Sequence, residues 1–101
     1  MLKDVLEEII LNRDNYENSN IPYMRGKISG YISGKLNIHP IPIVFKKDKN
    51  AIGIIVDNSE NKIAKIMGLL IENNIFTAIE ETPVNDIFII NAYLENPYKS
   101  T

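Results

Sequence analysis

The sequence predicts an α+β fold: two N-terminal helices, then a β-β-α-β-β run forming a mostly antiparallel four-stranded sheet packed by helices. Three observations carry this. Apolar residues recur at helical spacing in three segments. Four shorter runs, near 43–45, 51–56, 75–81 and 87–94, are rich in Ile, Val, Phe and Ala and have strand length. Clusters of Asn, Asp, Pro and Ser separate these segments. A chain of 101 residues fits one domain over 1–101 and is long enough to bury a core without metals or disulfides.

The first helix is expected over 2–17. Leu2, Val5, Leu6, Ile9 and Ile10 follow the i, i+3, i+4, i+7 pattern. Asp4, Glu7 and Glu8 lie near its start and Arg13 later, as the helix dipole favours. Asn15, Asn18, Ser19 and Asn20 make a polar connection to a second helix. Pro22 suits the first turn of that helix, where its missing N–H costs nothing. A link this short favours an antiparallel pair.

The second helix is unusual. Residues 23–37 repeat every four positions, so that Gly26, Gly30 and Gly34 fall in one row and Met24, Ile28, Ile32 and Leu36 in another. At about 100° per residue the two rows lie roughly opposite. Tyr23, Lys27, Tyr31 and Lys35 form a third row, with Arg25 one row away. Three glycines in a helix cost roughly 3 kcal/mol relative to alanine, and glycine is useful where another backbone approaches. Three readings follow: the first helix packs on the glycines; Ser29-Gly30 and Ser33-Gly34 are turns; or a partner covers the row. The expected antiparallel pairing makes the first the simplest. Lys27 and Lys35 interrupt the apolar run and exclude a membrane span.

The segment IHPIP at 38–42 stops this helix, because two nearby prolines demand extended backbone. Ile43 then opens a strand, at a sheet edge because Pro42 precedes it. Lys46–Asn50 reads as a hairpin turn. In the strand at 51–56, Ile52, Ile54 and Val56 share a face, and Gly53 signals a bulge or a close neighbour. Asp57 and Glu60 have capping-box spacing for a third helix, whose stripe is Ile63, Ile66, Met67, Leu70 and Ile71. Asn73-Asn74 can close it with a left-handed residue. Two strands follow, linked by a turn at 82–86 containing Pro83. The last strand is apolar on both faces, as in a strand that is central or covered on both sides, and Asn91 on it needs a partner if buried. Residues 96–101 read as a frayed tail.

Composition narrows the chemistry. There is no cysteine and one histidine, which excludes disulfides, thiolate sites and multi-histidine metal sites. No run reaches membrane length and the N-terminus is acidic early, unlike a signal peptide, so the cytoplasm is the default location. Ile, Asn, Lys and Tyr make up nearly half the chain, consistent with an AT-rich microbe, or a virus or mobile element of one. Net charge is −2, but residues 21–49 carry six Lys and Arg against one Asp. That asymmetry fits either an anionic partner or complementarity within the fold.

His39 lacks an orienting carboxylate that sequence can name. Glu80 and Glu81 are adjacent on a strand and point to opposite faces. No phosphate-loop, GxSxG, HExxH or CxxC motif occurs. The expectation is therefore a small non-catalytic binding or regulatory protein, without cofactor or metal, acting by protein–protein contact and compatible with a homodimer. A virus- or mobile-element-encoded inhibitor of a host protein would fit. The residues expected to carry contact are Tyr23, Arg25, Lys27, Gly30, Tyr31, Gly34 and Lys35. The alternative is a nucleic-acid module in which the tyrosines stack on bases and Lys46, Lys47 and Lys49 meet phosphates; the acidic balance argues against it. A small-molecule-binding domain or motif-less enzyme is the third option.

Overall fold

The structure, a computed structural model, describes residues 2–11, 21–39, 41–46 and 50–98. The element order is α1 (Leu2–Leu11), α2 (Ile21–Leu36), β1 (Ile43–Lys46), β2 (Ala51–Asp57), α3 (Lys62–Glu72), β3 (Phe76–Glu81) and β4 (Ile87–Tyr93). This is the predicted α+β order. The expected continuation of the first helix to residue 17, the hairpin positions 47–49 and the tail beyond 98 lie outside the described residues.

The four strands form one sheet in the order β1-β2-β4-β3, with every pairing antiparallel. β4 is central, one of the two placements its apolar faces allow, and β1 is an edge, as Pro42 before it implies. Strand alternation divides the sheet. Ile52, Ile54, Val56, Ile90 and Ala92 point to the helices and join Leu6, Ile9, Ile28, Ile32, Ile66 and Leu70 in one core. The other face carries Val44, Gly53, Ile55, Ile89, Asn91 and Tyr93. Gly53 sits in unbroken register opposite Val44 and Asn91, so there is no bulge. The close neighbour is the correct alternative: a Cβ there would lie 2.9 Å from Val44 Cγ2 and 3.0 Å from Ile89 Cγ2.

The start of α3 differs from the capping-box expectation. Glu60 and Asn61 both adopt left-handed backbone, with φ 54° and 57°, so the helix begins only at Lys62 and Asn61 makes no side-chain cap. Asp57 instead folds its own loop. Its carboxylate accepts from the Ser59 N–H at 2.9 Å, from the Ser59 hydroxyl, and from Lys62 Nζ at 3.0 Å. The far end of α3 matches its sequence. Asn74 is left-handed at φ 60°, the Ile75 N–H reaches back to the Leu70 carbonyl, and the Asn74 N–H to that of Ile71, both at 3.0 Å. These are the two bonds of a Schellman ending.

Candidate interaction surface

α2 is a continuous helix from Ile21 to Leu36, which removes the reading of its Ser-Gly pairs as turns. Ile28 and Ile32 enter the core, as their row requires. Gly26, Gly30 and Gly34 remain exposed, and a Cβ built on any of them meets nothing within 4 Å among the described residues. Over its described residues, Leu2–Leu11, the first helix does not cover the glycines, contrary to the simplest expectation; positions 12–17 of that expected helix lie outside the described residues. α1 and α2 do pack together, but α1 meets α2 away from that row. The physical reason is the apolar stripe. α1 buries Leu2, Leu6, Ile9 and Ile10, and these follow the isoleucines of α2 into the common core rather than lying on a face that offers no side chains.

The third row stands beside the bare glycines. Tyr23 is 67% exposed, Lys27 and Lys35 are exposed, and Tyr31 leans partly onto the core. Each lysine lies over the ring one turn before it: Lys27 Nζ is 5.4 Å from the Tyr23 centroid and Lys35 Nζ 5.7 Å from that of Tyr31. Such i, i+4 cation–π pairs order both side chains on an exposed helix. The result is a ridge of two aromatic–ammonium pairs bordering a bare strip of helix backbone.

The remaining expected contact residues are placed elsewhere. Arg25 is half-buried, and its Nη1 donates to the Ile43 carbonyl at 3.5 Å. Nearby, the Ser29 hydroxyl donates to the Ile41 carbonyl at 2.8 Å. Both side chains therefore fasten α2 to the approach and start of β1. Lys46 crosses the open face of the sheet to Glu80 on the opposite edge strand, with N and O 2.5 Å apart. Its stem passes over Gly53, where a Cβ would be 3.4 Å from Lys46 Cε. Glu80 also accepts from Asn91 Nδ2 at 3.0 Å. Asn91 is only 3% exposed, so the buried amide has the partner its position demanded, while its Oδ1 has none among the described residues. Lys47 and Lys49 lie outside the described residues. The structure does not bring Arg25 and Lys46 to the Tyr-Lys ridge. Sequence reading missed the Lys46–Glu80–Asn91 group because its members are 11 to 45 positions apart and meet only through the β1-β2-β4-β3 order.

His39 is exposed and borders a cavity of about 250 Å³ together with Pro42, Ile55, Asp57 and Lys62. Asp57 is a carboxylate on the wall of that cavity, and no hydrogen bond or ion pair joins it to His39 among the described residues. It is already engaged: hydrogen bonds from the Ser59 hydroxyl, then from Lys62 and the Ser59 backbone, lower its pKa to about 2. An acid held that firmly ionised is a poor proton acceptor near neutral pH. No group of three or more His, Cys, Asp or Glu able to hold a metal occurs among the described residues. Among the same residues no helix is long and apolar enough to cross a membrane.

Comparison of the chain with protein-family models, with curated proteins and with solved structures gives no match.

Proposed function

We propose that this chain is a non-catalytic binding protein that docks another protein on the exposed face of α2. The observation that supports the reading is the bare glycine row in an unbroken helix. Three exposed glycines lower helix stability by roughly 3 kcal/mol, and no described part of the chain packs on them in return. A partner element laid along Gly26, Gly30 and Gly34 can approach α2 to backbone contact. Tyr23 then offers the large, rigid side chain typical of interface anchors. Lys27 and Lys35 give the rim positive charge, which favours a partner that is acidic beside its contact helix or strand.

The nucleic-acid reading has less support. Arg25 and Lys46 are committed to internal contacts, and each tyrosine ring of the ridge already carries a lysine. Inhibition or regulation of a host protein remains the biological setting we infer for such a surface.

The test is a matched pair of binding and folding measurements. Cross-linking through Lys27 and Lys35 in the source cell identifies the partner. Affinity of that purified partner for Gly30→Leu should fall by about tenfold or more, while the variant's thermal unfolding midpoint is not lowered. Undiminished binding by Gly30→Leu would sink the reading. Binding to polynucleotide with a steep loss in salt would instead support the nucleic-acid alternative.

A further inference from the structure

We propose that the outer edge of β3 is a self-association site, where a second copy of this chain pairs β3 to β3, antiparallel, about a two-fold axis through Ile79. The inference is independent of the α2 surface.

The hydrogen-bond phase of the sheet supplies the argument. The Ile55 N–H donates to the Pro42 carbonyl at 3.0 Å, on either side of the Ile43–Ile54 pair. In an antiparallel ladder this makes Ile43–Ile54 a non-hydrogen-bonded pair, and such pairs alternate with bonded ones along each strand. Ala51 and Gly53 therefore bond to β1, Ile52, Ile54 and Val56 to β4, and Phe76, Ala78 and Glu80 of β3 to Tyr93, Asn91 and Ile89. The N–H and C=O of Thr77, Ile79 and Glu81 must then point away from β4, off the edge of the sheet. No described residue bonds to these outward groups.

These three residues are symmetric about Ile79. A two-fold axis there sets Ile79 against Ile79 of the second copy, Thr77 against its Glu81, and Glu81 against its Thr77. All outward N–H and C=O groups find partners at once. The side chains agree. Ile79 is 50% exposed although it lies on the helix side of the sheet, and self-pairing buries it against its own copy. Glu81 meets a threonine hydroxyl that can donate to it, not a second carboxylate. Exposed apolar surface continues beside the edge: Ile71, Phe76 and Tyr98 border a cleft of about 470 Å³.

The opposite edge is defended. β1 is short, Pro42 precedes it without an N–H, and Arg25 caps the outward Ile43 carbonyl. β3 has no proline, no lysine and no bulge. The open face is a weaker candidate for the second copy, because the Lys46–Glu80 ion pair crosses it and would lose solvation on burial.

The experiment is sedimentation velocity on the full chain with single-site variants. The wild type should sediment as a dimer of the 11.5 kDa chain. Ile79→Lys opposes two ammonium groups at the axis and should raise the dimer dissociation constant about tenfold or more, with an unchanged circular dichroism spectrum. Because the chain has no cysteine, Ile79→Cys adds a clean reporter: an opposed pair of this kind has Cα atoms about 5.5 Å apart, within disulfide range. Mild oxidation should cross-link Ile79→Cys rapidly and an Asn85→Cys control, in the exposed turn, slowly. A monomeric wild type overturns the proposal. So does a dimer indifferent to Ile79→Lys, or cross-linking of Ile79→Cys no faster than the control. An extended peptide that adds to β3 while the wild type stays monomeric would assign the edge to a different partner and likewise overturn self-pairing.

Discussion

At the scale of single residues, the middle of the open sheet face depends on what Gly53 lacks. Its missing side chain lets Val44, Ile89 and the Lys46 stem close over the same spot. That closure is what brings Lys46 within reach of Glu80, and Glu80 in turn satisfies the buried amide of Asn91. The sheet register requires nothing unusual of Gly53, whose φ is not positive; the constraint is space alone. Gly53→Ala places a methyl against two branched side chains and should destabilise the fold by about 1–3 kcal/mol. Chemical denaturation reads this directly, and a loss near zero would show that Val44 and Ile89 move aside freely. The same substitution should weaken the Lys46–Glu80 contact. Glycine in a strand interior announced a close neighbour, but only the strand order identifies the neighbours.

At the scale of elements, α2 joins two incompatible demands. Its isoleucine row is anchored in the core, whereas its glycine row gives no helix-stabilising side chain and has no described residue packed on it. None of its glycines has positive φ, so alanine fits their backbone without strain. Replacing Gly26, Gly30 and Gly34 together by alanine should raise stability by roughly 2–3 kcal/mol, from the helix propensities alone. Calorimetry checks this; a fall in melting temperature would show that the row makes internal contacts after all. The four-residue repeat, Pro22 and the IHPIP stop set the limits of this helix in sequence. The destination of the glycine face was not readable there, because helix periodicity ranks faces by polarity and says nothing of which neighbour a featureless face meets. The α3 ends make the same point in miniature. Asn73-Asn74 forms the left-handed stop its residues favour, but Asp57 and Glu60 failed as a cap because the backbone at Glu60 and Asn61 turns left-handed before the helix begins.

At the scale of the whole molecule, the element order followed from local patterns, and the two apolar faces of β4 narrowed its place to a central or doubly covered one. Apolar residues on both faces of one strand leave few other places for it. The pairing of distant charges did not follow, since Lys46 and Glu80 meet only once β2 and β4 lie between their strands. The segmental charge asymmetry is thereby partly resolved: one lysine of the basic stretch answers a glutamate of the acidic C-terminal half. Self-pairing through β3 would also couple folding to concentration. By mass action, the wild-type melting temperature should climb with protein concentration while that of Ile79→Lys stays flat. Differential scanning fluorimetry over a dilution series distinguishes the two, and a flat wild-type series would argue against the dimer.

The unequal treatment of the two sheet edges bears on more than affinity. Had both borders been left bare, strands would have recruited strands without limit, and the product would have been a filament. Arg25 and Pro42 guard one border, while on the proposed pairing the other would be matched to its own copy. Growth by this route would therefore end at two subunits: the geometry that invites assembly would also terminate it, and would keep an isoleucine-rich chain from polymerising along its sheet.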